Sequence, residues 1–289
     1  MSAPSSPAPR ALAVAVALAA APGLAPAAID PAAPLDDACW TESFVEEFDE
    51  LDLVEVDGGG GRWTTRYIWP RDVIINEELQ YYTDPATQSP SPFSVEDGVL
   101  AITARPTPES LRDEVEGQPY VSGVLTSRGS FSQLHGRFEV VAKVPEGRGL
   151  WSAFWLLPTH ARWPEGVAVL PEIDVMEHLG HEPGTYHTTL HTNQSGELTS
   201  HPYDHTLPEP LTDDFHRYSV VWTPQTVHWY LDRVRVSSHP TPADFTAPVH
   251  FLLNLAVGGT WPGAPDASTR FPARYLVDSV RAFVDSGDC

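Results

Sequence analysis

The run GRFEVVAKVPEG, residues 136–147, constrains the fold more than any other stretch of the chain. Phe138, Val140, Ala142 and Val144 alternate with Arg137, Glu139 and Lys143, the period of a half-buried β-strand. FHRYSVVWTPQTVHWYLD, residues 215–232, repeats that period twice around a Thr-Pro-Gln-Thr turn. Tyr218, Val220 and Trp222 lead in, and Val227, Trp229 and Leu231 lead out, so a hairpin is expected. HFLLNLAVGG, residues 250–259, is a continuous apolar run broken only by Asn254. Such short runs, spaced by the punctuation that 29 prolines and 20 glycines supply, predict an all-β antiparallel sandwich or barrel.

The N-terminal segment reads differently. Arg10 precedes an Ala-rich apolar run with small residues at Ala25–Ala28, the pattern of a secretory signal peptide over residues 1–27. Pro22 and Pro26 argue against a membrane-spanning helix. Residues 28–40 are expected to be an N-terminal linker and residues 41–289 one domain. The expected location is therefore secreted, extracellular or periplasmic. Cys39 and Cys289 are the two cysteines and stand near the ends of the mature chain, where export favours a disulfide over two free thiols.

The formal net charge is −22, and Lys143 is the single lysine. Nucleic acid and anionic membrane surfaces both require a basic footprint, so neither is expected as a partner. Nothing in the sequence names a protein partner, and a monomer is expected.

LPEIDVMEHLG, residues 170–180, crowds Glu172, Asp174 and Glu177 among Ile173, Val175 and Met176. On a strand Glu172 and Asp174 share a face, while strict alternation would turn Glu177 away. A β-bulge around Val175–Met176 would bring it back, and bulges recur beside active sites. Three carboxylates on one face raise one another's pKa, which suits glycoside hydrolysis by a nucleophile and a general acid. The same acids could hold Ca²⁺ or Mg²⁺, or form a solvated strand face.

With its neighbours, the motif resembles glycoside hydrolase family 16, the β-glucanase and laminarinase family. The resemblance covers residues 41–285 and includes FVEEFDE, INEELQYYTD, DGVLAITA, GLWSAFWLLP, PEIDVMEHLG and LLNLAVGGTWPG. It implies a β-jelly-roll with a concave substrate cleft and a retaining mechanism. Glu172 would be the nucleophile, Glu177 the acid/base and Asp174 the assisting carboxylate. No catalytic cofactor is implied, and zinc at His187 and His191 is not expected.

Trp151 and Trp155 share a strand face and match the family's cleft tryptophans; by themselves they read as core. Asn254 needs a partner, either a sugar hydroxyl or a loop backbone group. Trp261 is expected to contact sugar. Asn76 and Tyr82, read as alternating with Glu78 and Gln80 on one strand face, belong to the glycone-side wall by resemblance. His191 is expected near Glu177, tuning its proton exchange. Family resemblance also suggests a structural Ca²⁺ at Glu47, Gly98 and Asp278. Two departures stand out: Val141 where the family often has Arg, and Asp232–Arg233 where it often has Asp-Gly.

The expected function is that of a secreted retaining endo-β-glucanase acting on β-1,3 or mixed β-1,3/1,4 glucan. The rivals are a succinoglycan-like exopolysaccharide depolymerase, a transglycosylase, and a non-catalytic β-glucan-binding protein on the same fold.

Overall fold

The structure, a computed structural model, describes residues 30–35, 37–54, 60–161 and 171–287. The expected signal peptide and Cys289 lie outside the described residues. Among those described, the strands are β1 (Asp30–Pro34), β2 (Trp40–Glu46), β3 (Gln80–Tyr82), β4 (Phe93–Glu96), β5 (Val99–Pro106) and β6 (Tyr120–Ser122). Next come β7 (Val124–Thr126), β8 (Gly136–Lys143), β9 (Leu150–Pro158), β10 (Glu172–Leu179), β11 (Thr185–Thr192) and β12 (Thr199–Thr206). The last five are β13 (His216–Trp222), β14 (Thr226–Leu231), β15 (Val234–Pro240), β16 (Val249–Val257) and β17 (Ala273–Asp285).

They form two sheets. One runs β12-β11-β10-β9-β16-β7 and the other β1-β15-β14-β13-β8-β17-β5-β6-β3, with β2 paired to β17 and β4 to β5. All pairs are antiparallel except β3 with β6. The expected alternation is realised: Phe138, Val140, Ala142, Tyr218, Val220, Trp222 and Trp229 point inward from the larger sheet. Phe154, Leu156, Ile173, Leu190, Phe251 and Leu253 meet them from the six-stranded sheet. Two inner faces closing on one apolar layer make the sandwich. The architecture is a β-jelly-roll.

The segment expected as a linker is attached to this sandwich. Strand β1 pairs with β15, and Asp37 accepts hydrogen bonds from Arg137 (2.6 Å) and Arg233 (2.5 Å). Arg137 and Glu139 are both 1 % exposed and paired on the outward face of β8, where Arg217 and Ser219 also bond Glu139. Asp232 and Arg233 have φ of 47° and 72°, the left-handed pair that a two-residue hairpin demands. Asp232 offsets that cost by accepting from the Arg217 amide at 2.9 Å, so the turn survives without glycine.

Candidate active site

Against β9, Asp174 faces Trp155 but Met176 faces Phe154, so the ladder gains a residue between them. Val175 and Met176 are both buried in the inner core, at 1 % and 0 % exposure. This is the expected bulge. Two consecutive apolar side chains enter the core, and Glu177 returns to the outer face beside Glu172 and Asp174. The bulge is pinned from the opposite sheet, where the indole Nε1 of Trp229 donates to the Asp174 carbonyl at 2.9 Å.

Each carboxylate has its own surroundings. Glu177 accepts from Trp151 Nε1 at 3.2 Å and from Thr189 Oγ1 at 3.4 Å. Asp174 is buried at 3 % exposure, and its Oδ2 lies 3.2 Å from His191 Nε2. Glu172 keeps 21 % of its side-chain surface, with Oε1 3.8 Å from the same nitrogen. Burial pushes the carboxyls of Glu172 and Glu177 well above the usual range, and the charge of Asp174 adds to both shifts. Burial raises Asp174 to about 7. At neutral pH such a cluster keeps a proton while holding negative charge, as an acid and a nucleophile acting together require.

His191 is the register partner of Glu172, not of Glu177. The bulge shifts the ladder, so His187 is the register partner of Glu177, while the charge of His191 still acts on Glu177 and lowers its pKa. His187 Nδ1 is 2.8 Å from Asp204 Oδ1, and its ring stands edge-on to Trp261 at 4.8 Å. Trp261 also packs edge-on against Trp151, 5.2 Å between centroids. Trp151 and Trp261, both half-buried, therefore form an aromatic corner beside Glu177.

The other sugar candidates are drawn into a second cluster on the outer face. Trp155 is 9 % exposed and lies beneath Tyr67, 5.6 Å from its ring, so it is covered on that side. Its Nε1 donates to Asn254 Oδ1 at 2.8 Å, and Asn254 Nδ2 donates to the Tyr82 hydroxyl at 3.1 Å. Asn254 is thus bonded by two side chains rather than by a loop backbone group. Asn76 is not on a strand. With Glu77 it adopts left-handed φ, 53° and 57°, and it reaches Glu78 Oε1 at 3.1 Å through that turn. Glu78 is buried, accepts from Gln80 Nε2 at 2.6 Å, and has its pKa raised to about 7 by burial. The sequence gives little sign of Tyr67 or Trp69, because their loop has no periodicity. The hydrogen bond from Thr189 to Glu177 has no signature in the sequence.

Two metal questions follow from the geometry. Glu172, Asp174 and His191 each offer a ligand atom, all within 4.8 Å of one another. Of the residues expected to hold calcium, Gly98 and Glu47 are neighbours. A Cβ on Gly98 would stand 3.7 Å from the Glu47 carbonyl oxygen, and Glu46 faces Val280, two residues beyond Asp278. The Glu47 carboxylate, however, is engaged by Arg281.

Fold and site together define a jelly-roll sandwich with a bulged carboxylate strand under an aromatic corner. The sequence pattern of glycosyl hydrolases family 16 matches residues 82–278, and the chain belongs to that family. It is 39 % identical to an endo-1,3-1,4-beta-glycanase of Rhizobium meliloti, over 86 % of this chain and 53 % of that protein. The chain thus spans about half the length of that relative. A beta-glucanase of Rhodothermus marinus is 34 % identical over 84 % of this chain and 85 % of its own. Among solved structures, the endo-beta-1,3-glucanase of Pyrococcus furiosus superposes with a TM-score of 0.68 at 34 % identity, covering 86 % of this chain and 96 % of that one.

Proposed function

We propose that the chain is a secreted retaining endo-β-glucanase cleaving β-1,3 or mixed β-1,3/1,4 linkages. The observation that carries this reading is the bulge, which returns Glu177 to the face of Glu172 and Asp174. In the first step Glu172 attacks the anomeric carbon while Glu177 gives its proton to the departing glycosidic oxygen. In the second, Glu177 takes a proton from water, whose oxygen displaces Glu172 with net retention. Asp174, between them, carries negative charge that favours the proton on Glu177, while the charge of His191 beside Glu172 favours the ionised nucleophile. Trp151 and Trp261 offer ring faces for apolar sugar faces on the Glu177 side.

A second reading, cleavage of a succinoglycan-like exopolysaccharide, is compatible with the Rhizobium meliloti relative being a β-1,3-1,4-glycanase rather than a glucanase in name. One assay separates them. Purified protein is given laminarin, curdlan, mixed-linkage β-glucan and a succinoglycan-type polymer, with reducing ends and anomeric protons followed. Oligosaccharide release from laminarin with the β-anomer first supports the main reading. Activity on the exopolysaccharide alone moves the substrate and keeps the mechanism. Tight binding without turnover overturns the hydrolase reading, and product chains longer than the substrate indicate transglycosylation.

Export, a monomeric state, and a Cys39–Cys289 disulfide complete the proposal. The disulfide is supported by the Ser286 amide, which donates to the Cys39 carbonyl at 2.9 Å and brings the C-terminal segment beside Cys39. Calcium at the Glu47 carbonyl, Gly98 and Asp278 would tie β2 to β17, and EDTA should then lower the melting temperature.

A further inference from the structure

We propose that Glu172, Asp174 and His191 form an inhibitory site for a divalent transition-metal ion, zinc or copper in class. The inhibition rests on the hydrolase reading; the binding does not. His191 Nε2 lies 3.2 Å from Asp174 Oδ2 and 3.8 Å from Glu172 Oε1. A tetrahedral zinc with bonds of about 2.0–2.2 Å sets its ligand atoms about 3.3–3.5 Å apart. The two distances from the imidazole nitrogen bracket that spacing, and all three donor atoms lie within 4.8 Å of one another.

Two further observations point into the same space. Asp174 Oδ2 is buried and accepts from no amide or hydroxyl, facing only His191 Nε2 and the carboxyl of Glu172. The opposite nitrogen of the ring, His191 Nδ1, sits 2.8 Å from Ser200 Oγ, which fixes the ring and turns Nε2 toward the carboxylates. One imidazole with two carboxylates favours zinc- or copper-like ions over magnesium or calcium, which prefer oxygen alone. The chain supplies three ligands, so a fourth position remains for water. Because one ligand is the attacking oxygen of Glu172, metal occupancy and nucleophilic attack exclude each other.

Zinc chloride titrated calorimetrically into the EDTA-treated full chain tests the site. One zinc per chain is expected, with turnover lost in step with occupancy and restored by EDTA. His191→Gln should weaken binding at least about tenfold, the lower end for disturbed metal shells. Zinc should raise the melting temperature of the wild-type chain and leave that of His191→Gln unmoved. His239→Gln is the control, since His239 and His201 pair separately, 4.4 Å between ring centroids. No stoichiometric binding up to about 1 mM overturns the proposal. So does unchanged affinity in His191→Gln, loss of binding in His239→Gln, or occupancy that leaves turnover intact. If the metal-free protein cuts no polymer, the hydrolase reading fails and the inhibitory role with it, while calorimetry still decides whether zinc binds.

Discussion

The indole of Trp229, on β14 of the larger sheet, donates to the Asp174 carbonyl on β10 of the other, 2.9 Å across the core. The bulge takes the backbone here out of register with β9, and the tryptophan supplies a donor. Catalytic geometry on the outer face is thereby fixed from inside the sandwich.

Trp229→Phe keeps most of the ring and removes the N–H. A buried carbonyl left without its partner costs about 1–3 kcal/mol. Urea unfolding should register that loss, with kcat falling while KM on polymer changes little. Wild-type kcat in a destabilised variant would mean the anchor serves stability alone.

Replacing either glutamate separates their tasks. Glu177→Gln should lose about 10²–10⁴-fold in kcat on polymer, the usual share of general acid catalysis. Much less should be lost on an aryl glycoside whose leaving group needs no proton. Glu172→Gln should be inactive on both. Equal losses for the two variants on the activated substrate would contradict the assigned roles.

Asp174 links activity to pH. Its charge raises Glu172 and Glu177, so Asp174→Asn should move the alkaline limb of the kcat/KM profile to lower pH. Stability should move oppositely. Asp174 titrates near 7 when folded and near 4 when unfolded. Its ionised form is therefore a cost to the fold that is absent below pH 4 and grows as pH rises toward 7. Asp174→Asn removes it, so the variant's stability gain should grow from pH 4 to 8. Chemical unfolding at both pH values checks the sign, and a constant gain would reject it.

Glu139 predicts stability without activity. It lies on the sandwich's other outer face, bonded by Arg137, Arg217 and Ser219. Glu139→Ala leaves the guanidinium of Arg137 buried without this partner, a change that costs about 3–5 kcal/mol. The melting temperature should drop by many degrees, with kcat per folded molecule unchanged.

Buried histidines set the acid limit. Burial lowers His178 to about 3, and His205 and His250 to about 4. Unfolded histidines bind protons below about 6.5, so stability from these three is present above that pH and is lost as pH falls from 6.5 toward 4. The acids with raised pKa act in the opposite sense over part of this range. The comparison is therefore the wild-type chain against His250→Asn, whose unfolding midpoint should fall less steeply on acidification.

The strands, the hairpin at residues 215–232 and the bulge were legible because each is a local pattern. Alternation fixes a face, and three carboxylates in six positions admit a common face only with one inserted residue. Asn76 was misread because its turn imitates a strand's spacing. That His187 pairs with Glu177 and His191 with Glu172 was not legible, because register depends on the bulge in the neighbouring strand.

The sequence by itself therefore determined the all-β class and the three-carboxylate face, which depend on period and spacing along one chain, and its motifs carried the resemblance to the family. Only the tertiary structure decided which side chain faces which acid, that Tyr67 covers Trp155, and that Trp229 holds Asp174 from the far sheet. The first depends on register between neighbouring strands, and the other two join residues dozens of positions apart, which only the folded sandwich brings together.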